Sequence, residues 1–225
     1  MRISIIIPVL NEAGTISSFM QNVTGLRGIH EVIVVDGGSS DGTPDMARKY
    51  AKVIDAPKGR SFQMNAGAAT ADGDIFLFLH ADTDLPLNAA EAIERSLSDA
   101  SVIGGRFRVR LDNQGWRYRI VGWSINVRDY IIRGFTGDQV IFVRRDVFNR
   151  LGGYPPLSIM EDLEFGRRMC REGKVARLSE YVTTSARRWE KGGVFKTVFL
   201  MWRLRLLYFM KFPPSTLQRW YGDTR

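Results

Sequence analysis

The sequence predicts an α/β fold, a mostly parallel sheet flanked by helices, followed by a C-terminal amphipathic helical segment. Three observations carry that prediction. Continuous apolar runs rich in Val and Ile alternate with segments of helical period, the pattern of buried parallel strands joined by helices. Polar, glycine-containing clusters stand where the apolar runs stop. Beyond Trp189 the composition changes, and 194–210 is strongly apolar with interspersed arginines.

The elements follow in order. "ISIIIPV" reads as a buried strand. After Glu12, Ile16, Phe19, Met20 and Val23 recur at helical spacing. "EVIVVDGG" is a second buried strand ending at Asp36, and "SSDGTPDMARKYA" opens a helix with Pro44 in its first turn. "VIDA" is a short strand, "GRSFQMNAGAATA" a helix and "DIFLFLH" a strand. A loop with Asp82 and Asp84 precedes a helix near 87–97. "VIGGRFRVRL" is a strand, "WRYRIVGWSINVRDYII" a long helix and "VIFVRR" a strand. Trp116, Trp123 and Tyr130, seven residues apart, are expected to pack that long helix. "MEDLEFGRRMCREG" is a helix with acidic residues first and basic ones later, as its macrodipole prefers. "KVARL" and "YVTTS" read as two short strands. The domain prediction is one catalytic unit over 1–189 and a helical appendage over 190–225.

With 225 residues the chain can bury one large core. A formal net charge of +8 favours anionic partners. The basic residues are dispersed and no nucleic-acid reader motif occurs, so nucleic acid is not the expected partner. The single cysteine, Cys170, is expected to pack rather than react. The N-terminus carries one basic residue and a very short apolar run before Asn11 and Glu12, which is not a signal-peptide pattern. A cytoplasmic location is expected, with peripheral contact at the inner membrane face.

Ligands of open parallel sheets bind at the carboxyl ends of the strands. Three such ends carry polar clusters: Pro8, Asn11 and Glu12; Asp36 through Gly42; and His80, Asp82 and Asp84. "DGGSSDGT" matches neither the dinucleotide fingerprint nor the P-loop spacing. Asp36, at a strand tip, suits a base-ring N–H, since an ionised carboxylate only accepts. Asp82 and Asp84 share a face if the chain stays extended. Side by side they repel, and a hard divalent cation with oxygen ligands relieves that repulsion. Gly137 to Gln139 precede a strand and either form a simple turn or bring Gln139 to an acceptor.

These blocks, in this order, resemble the family-2 glycosyltransferases with the GT-A fold. "IIPVLNE" is similar to their opening strand, "VIVVDGGSSDGT" to their base-binding strand and "GRSFQMNAG" to their arginine/asparagine block. "FLHADTDLP" looks like their Asp-X-Asp loop and "GGYPPLSIMEDLEFGRR" like their acceptor-side block. "SARRW" is similar to a block in a short bacterial subgroup. The resemblance implies a nucleotide diphosphate sugar donor, with UDP expected, and an inverting transfer to an acceptor hydroxyl, lipid-linked or apolar in one reading. It implies Asp36 at the base, with Pro8 and Glu12 lining that pocket, and Arg60 at the diphosphate. Asp82 would lie near ribose and metal, and Asp84 would hold Mg²⁺ or Mn²⁺. Asp162 would be the general base beside Glu161, with Arg187, Arg188 and Trp189 closing over the pyrophosphate or acceptor. In the short subgroup the second aspartate is often arginine; Asp84 departs from that. A nucleotidyltransferase of related architecture and a non-catalytic nucleotide-sugar-binding protein are the alternatives.

Overall fold

A computed structural model describes residues 1–132 and 134–221, with side chains set aside for 129–132; Tyr130's side chain therefore lies outside the described residues. The strands are β1 (Ile3–Val9), β2 (Glu31–Asp36), β3 (Lys52–Asp55), β4 (Ile75–Phe78), β5 (Thr83–Asp84), β6 (Val102–Leu111), β7 (Ile141–Arg144) and β8 (Lys174–Thr184). The helices are α1 (Ile16–Thr24), α2 (Thr43–Ala47), α3 (Arg60–Thr70), α4 (Ala89–Leu97), α5 (Trp116–Ile132), α6 (Arg145–Arg150), α7 (Glu161–Glu172), α8 (Arg187–Gly192), α9 (Val194–Phe209) and α10 (Pro214–Tyr221). A 3-10 turn covers Gly137–Gln139.

One sheet runs β3-β2-β1-β4-β7-β6-β8-β5. Strands β3, β2, β1 and β4 are parallel, β7 is antiparallel to both β4 and β6, and β5 is antiparallel to β8. The central strands are buried on both faces, which is why they read as continuous apolar runs. Ile5 and Ile7 join one core with Phe19 and Met20 of α1 and Ile93 of α4. Ile6 joins the other with Met64 of α3 and Phe165 of α7. Gly67 lets α3 lie close on β1, because a Cβ there would come within 2.4 Å of Ile6 Cγ2. Cys170 packs against this second core, as expected of a free cysteine.

Several elements differ from the expectation. "KVARL" and "YVTTS" are one strand, β8, continuous because parallel pairing with β6 spans both segments. The Asp82/Asp84 loop contains the short strand β5, formed because Thr83 and Asp84 pair with Thr184 and Thr183. The chain turns into α6 directly after β7. Trp116 and Trp123 do not pack their helix: they are 63% and 65% exposed, since α5 buries Val121 and Ile125 instead.

Helix α9 rests on the start of α7 by one face. Leu204, with Leu217 of α10, packs on Met160 and Leu163 at the start of α7, and the Tyr208 hydroxyl donates to Glu164 Oε2 at 3.2 Å. Phe195, Phe199, Trp202 and Leu206 on its other face are exposed.

Candidate active site

Strands β1 and β2 end side by side, with Val9 opposite Asp36. Their loops are stitched together. The Asn11 N–H donates to Ser39 Oγ at 2.8 Å, and Asn11 Oδ1 accepts the Ser40 N–H at 2.9 Å. The Glu12 N–H donates to Thr43 Oγ1, and the Ala13 N–H to Asp41 Oδ2. The Thr43 hydroxyl and the Ala13 N–H hold the Asp41 carboxyl below the usual carboxylate range.

Asp36 is only 3% exposed. Its Oδ2 accepts the N–H groups of Gly38 and Ser39 at 2.8 Å each, and its Oδ1 accepts the Ser39 hydroxyl. In this state Asp36 shapes its own turn. Pro8 is buried in β1 opposite Val35. Glu12 is half-buried and accepts the Thr15 hydroxyl.

The second group gathers where α7 begins. Asp162 Oδ2 accepts the Gly137 N–H at 2.6 Å, and Oδ1 accepts the Leu163 N–H at 2.7 Å. A Cβ on Gly137 would lie 2.6 Å from His80 Cε1 and 3.3 Å from Asp162 Oδ2. The 3-10 turn therefore passes between His80 and Asp162, and a Cβ at Gly137 would displace the His80 ring. Beside it, His80 Nδ1 lies 3.9 Å from Asp138 Oδ1. Burial opposes ionisation of Asp138, but Arg188, His80, Arg60 and Arg128 outweigh it and hold the carboxyl below its ordinary value.

Arg60, at the first position of α3, points its Nε at Glu161 Oε1, 3.7 Å away; Glu161 is 5% exposed. Burial disfavours the Arg60 charge, but Glu161, Tyr221, Asp162 and Asp138 together hold it above its ordinary value. Burial, then Asp162 and Glu161, push the Tyr154 phenol well up. Two residues flanking this group have left-handed backbones: Val140 at φ 51° and Met160 at φ 68°. Such conformations cost about 1–3 kcal/mol each and cluster at functional sites.

The third group is the Asp-X-Asp loop. Thr83 is buried, its hydroxyl meeting that of Thr184, while Asp82 and Asp84 are exposed on the opposite face. Asp84 Oδ1 accepts from Asn22 Nδ2 at 3.2 Å. The Ser185 N–H donates to the Asp82 carbonyl, and Arg187 Nε donates to Ser185 Oγ, so the loop and the SARRW block are neighbours. Arg187 is exposed, Arg188 lies over the Tyr221 ring, and Trp189 leans against the main core. The donor set fits a hard divalent cation: two exposed carboxylates on one strand face, the kind of partial site that a diphosphate completes. Among the described residues, three metal-ligating side chains meet only at His30, Glu31 and Asp72, at the amino end of β2.

Gln139 is placed differently from its acceptor reading. It is 0% exposed, and its side chain caps the turn by accepting the Thr136 N–H at 3.3 Å. "TGDQ" is a capping-box pattern, a signal in the sequence that would have assigned Gln139 to the turn and Asp138 to the site. Gln63 also escaped sequence reasoning. Its Nε2 donates to the carbonyls of Val9 and Val35, tying the ends of β1 and β2 to α3. Asn65 likewise holds Tyr154 by two hydrogen bonds. A buried amide leaves no pattern in one sequence, so Gln63 could not be singled out, while Asn65 belongs to the arginine/asparagine block without a role having been assigned to it.

Residues 4–152 match the family described as glycosyl transferase family 2. The chain belongs to that family. Glycosyltransferase AglE of Haloferax volcanii is 30% identical over 173 residues, which cover 68% of this chain and 56% of AglE. A PGL/p-HBAD biosynthesis glycosyltransferase of Mycobacterium bovis is 28% identical over 210 residues, 87% of this chain and 79% of that protein. Among solved structures, Staphylococcus aureus TarS 1–349 in complex with UDP-GlcNAc superposes with a TM-score of 0.70 at 18% identity, over 82% of this chain and 58% of TarS 1–349. Mannosyltransferase PcManGT of Pyrobaculum calidifontis, in complex with GDP-Man and Mn²⁺, gives 0.66 at 19% identity over 99% of this chain and 69% of that one. The chain thus spans just over half the length of AglE and of TarS 1–349. The family-2 domain has the GT-A fold, a curled, mostly parallel sheet flanked by helices.

Proposed function

We propose that this family-2 glycosyltransferase moves a sugar from a nucleotide diphosphate sugar, with UDP as the nucleotide, to an acceptor hydroxyl with inversion. The observation that carries the reading is the fixed carboxylate of Asp162, held by the Gly137 N–H at 2.6 Å beside Arg60. The bond from the anomeric carbon to the diphosphate oxygen breaks, and a bond to the acceptor oxygen forms on the opposite face. Asp162 takes the hydroxyl proton, help worth about 10²–10⁴-fold. The nucleoside diphosphate leaves with the electron pair. Arg60 and Arg188 stabilise its charge. Asp36, Pro8 and Glu12 form the base end of the donor site, and Glu161 fixes Arg60. Asp82 and Asp84 would hold Mg²⁺ or Mn²⁺, which supplies Lewis-acid stabilisation of the leaving diphosphate.

A guanosine donor is the second reading, favoured by the likeness to PcManGT in its complex with GDP-Man.

We also assign the enzyme to the cytoplasmic membrane face. Among the described residues no helix is long and apolar enough to cross a membrane. On α9, Phe195, Phe199, Trp202 and Leu206 are exposed along one stripe, and Trp116, Ile120 and Trp123 form a second on α5. Arg117 lies over the rings of both Trp116 and Phe195, joining the two stripes. Aromatic stripes with interspersed basic residues suit an anionic interface. The acceptor, on this reading, is lipid-linked or apolar.

Thermal stabilisation by a panel of nucleotides tests the donor reading. UDP with Mn²⁺ should raise the melting temperature. Equal, negligible shifts for UDP, GDP and their sugars would reject it.

A further inference from the structure

Helix α10 ends on the arginines of the donor site. Its Leu217 is fully buried and packs with Leu204 on Met160 and Leu163, which flank Glu161 and Asp162 in the chain. Tyr221 comes four residues after Leu217, on the same face of α10, and packs against that cluster. Its ring lies against Arg188, whose Cζ is 5.3 Å from the ring centroid. That is within cation–π reach. Tyr221 also borders Arg60. Burial opposes the Arg60 charge, and among the groups that favour it Glu161 comes first and Tyr221 next. One aromatic side chain thus borders both cations assigned to the leaving diphosphate.

The adjacent ring of α10 faces elsewhere. Trp220 is 44% exposed, and the cation over its ring is Arg203 of α9. The two neighbouring aromatic residues therefore separate cleanly, one toward the site and one toward solvent.

A ring contact suits the task of Arg188, which is half-buried in the first turn of α8. Burial opposes ionisation of Asp138; Arg188 leads the groups that outweigh it, and Arg60 is among them. Both arginines therefore lie near one carboxylate. A guanidinium stacked on a ring face keeps its in-plane N–H groups for phosphate oxygens, which it can meet two at a time. An arginine held in that way also loses less side-chain freedom when the ligand arrives.

We propose that Tyr221 is a positioning residue for the donor: its ring holds the Arg188 guanidinium in the orientation that meets the leaving diphosphate beside Arg60. The proposal rests on the glycosyl-transfer reading above. On this account α10 completes the donor site, although Tyr221 lies beyond residues 4–152, which carry the family match.

The test is calorimetry of UDP in Mn²⁺, with GDP in parallel, on the full chain. Tyr221→Leu keeps an apolar side chain for the Leu217 cluster but has no ring face. It should weaken nucleotide binding about threefold to tenfold, the loss expected for one cation–π contact. Tyr221→Phe keeps the ring and should bind within about twofold of wild type. Trp220→Leu, the control on the same helix, should bind like wild type. The deciding comparison is Arg188→Gln with and without Tyr221→Leu. A ring that acts through Arg188 should matter little once the guanidinium is gone, whereas a merely structural ring would cost the same in both backgrounds. Equal affinity in wild type and Tyr221→Leu, an equal loss in Tyr221→Phe, or the same loss with and without Arg188 overturns the proposal and leaves the donor reading standing. Binding of neither UDP nor GDP by the wild-type chain rejects the donor reading itself, and the proposal with it.

Discussion

Gly137 donates its backbone N–H to Asp162 at 2.6 Å, and the space where its side chain would begin is filled by the His80 ring. The candidate base is thus aimed by a turn at which a Cβ would force the His80 ring to move. Gly137→Ala should destabilise the protein by about 1–3 kcal/mol, the usual cost of overpacking. Adding His80→Ala should recover most of that loss. Urea unfolding of the two single variants and the double variant checks this, and additive effects would count against the contact.

Asp162→Asn keeps the shape and one acceptor oxygen for the Gly137 N–H. Transfer should fall by about 10²–10⁴-fold, the range of general-base help. Donor affinity measured by calorimetry should stay within a few-fold. Near wild-type turnover with a hydroxyl acceptor would make Asp162 structural.

Asp138 gives a prediction in pH. Its folded-state pKa lies below the ordinary 3.8, mainly because Arg188 and His80 outweigh burial. A depressed carboxylate contributes stability above its unfolded value and loses it as pH falls through the folded value. The stability gap between wild type and Asp138→Asn should be fully present at about pH 5, where the carboxyl is ionised. It should shrink below about pH 4. In an Arg188→Gln background the gap should be smaller throughout. Chemical denaturation across pH measures it, and a gap that grows in acid would contradict the assignment.

The metal reading is tested by Asp82→Ala and Asp84→Ala. Each should weaken binding of the nucleotide sugar in Mn²⁺ and reduce the difference made by a chelator. Calorimetry that finds the same affinity with and without metal would remove the cation from the account.

The membrane assignment predicts that the wild-type chain sediments with anionic vesicles at low salt. Phe199→Ser combined with Trp116→Ser should reduce that fraction severalfold, because each removes an exposed ring from a different helix. Catalysis on a soluble acceptor should be unaffected. Unchanged sedimentation would return both stripes to a role in protein contact.

The sequence exposed the strand ends, because apolar runs buried on both sheet faces stop abruptly at Asp36 and before Asp82. Asp162 was singled out by the resemblance of "GGYPPLSIMEDLEFGRR" to the family's acceptor-side block, since an acidic helix start alone reads equally well as dipole stabilisation. The sequence did not expose Asp138, His80 or Gly137 as one unit, since β4 and the 3-10 turn are some 60 residues apart and meet only through the pairing of β4 with β7. For Gln139 it left a turn and an acceptor role open, and the capping contact to the Thr136 N–H is what favours the turn. The tryptophans of α5 follow helical spacing equally well on a buried or an exposed face, and only packing distinguishes the two.

The most direct measurement is release of free nucleoside diphosphate from a panel of nucleotide sugars in Mn²⁺, with wild type and Asp162→Asn side by side. The account predicts UDP from a UDP-sugar with wild type, little with Asp162→Asn, and none in chelator. Release of pyrophosphate, or no turnover of any nucleotide sugar that the protein binds, would contradict it.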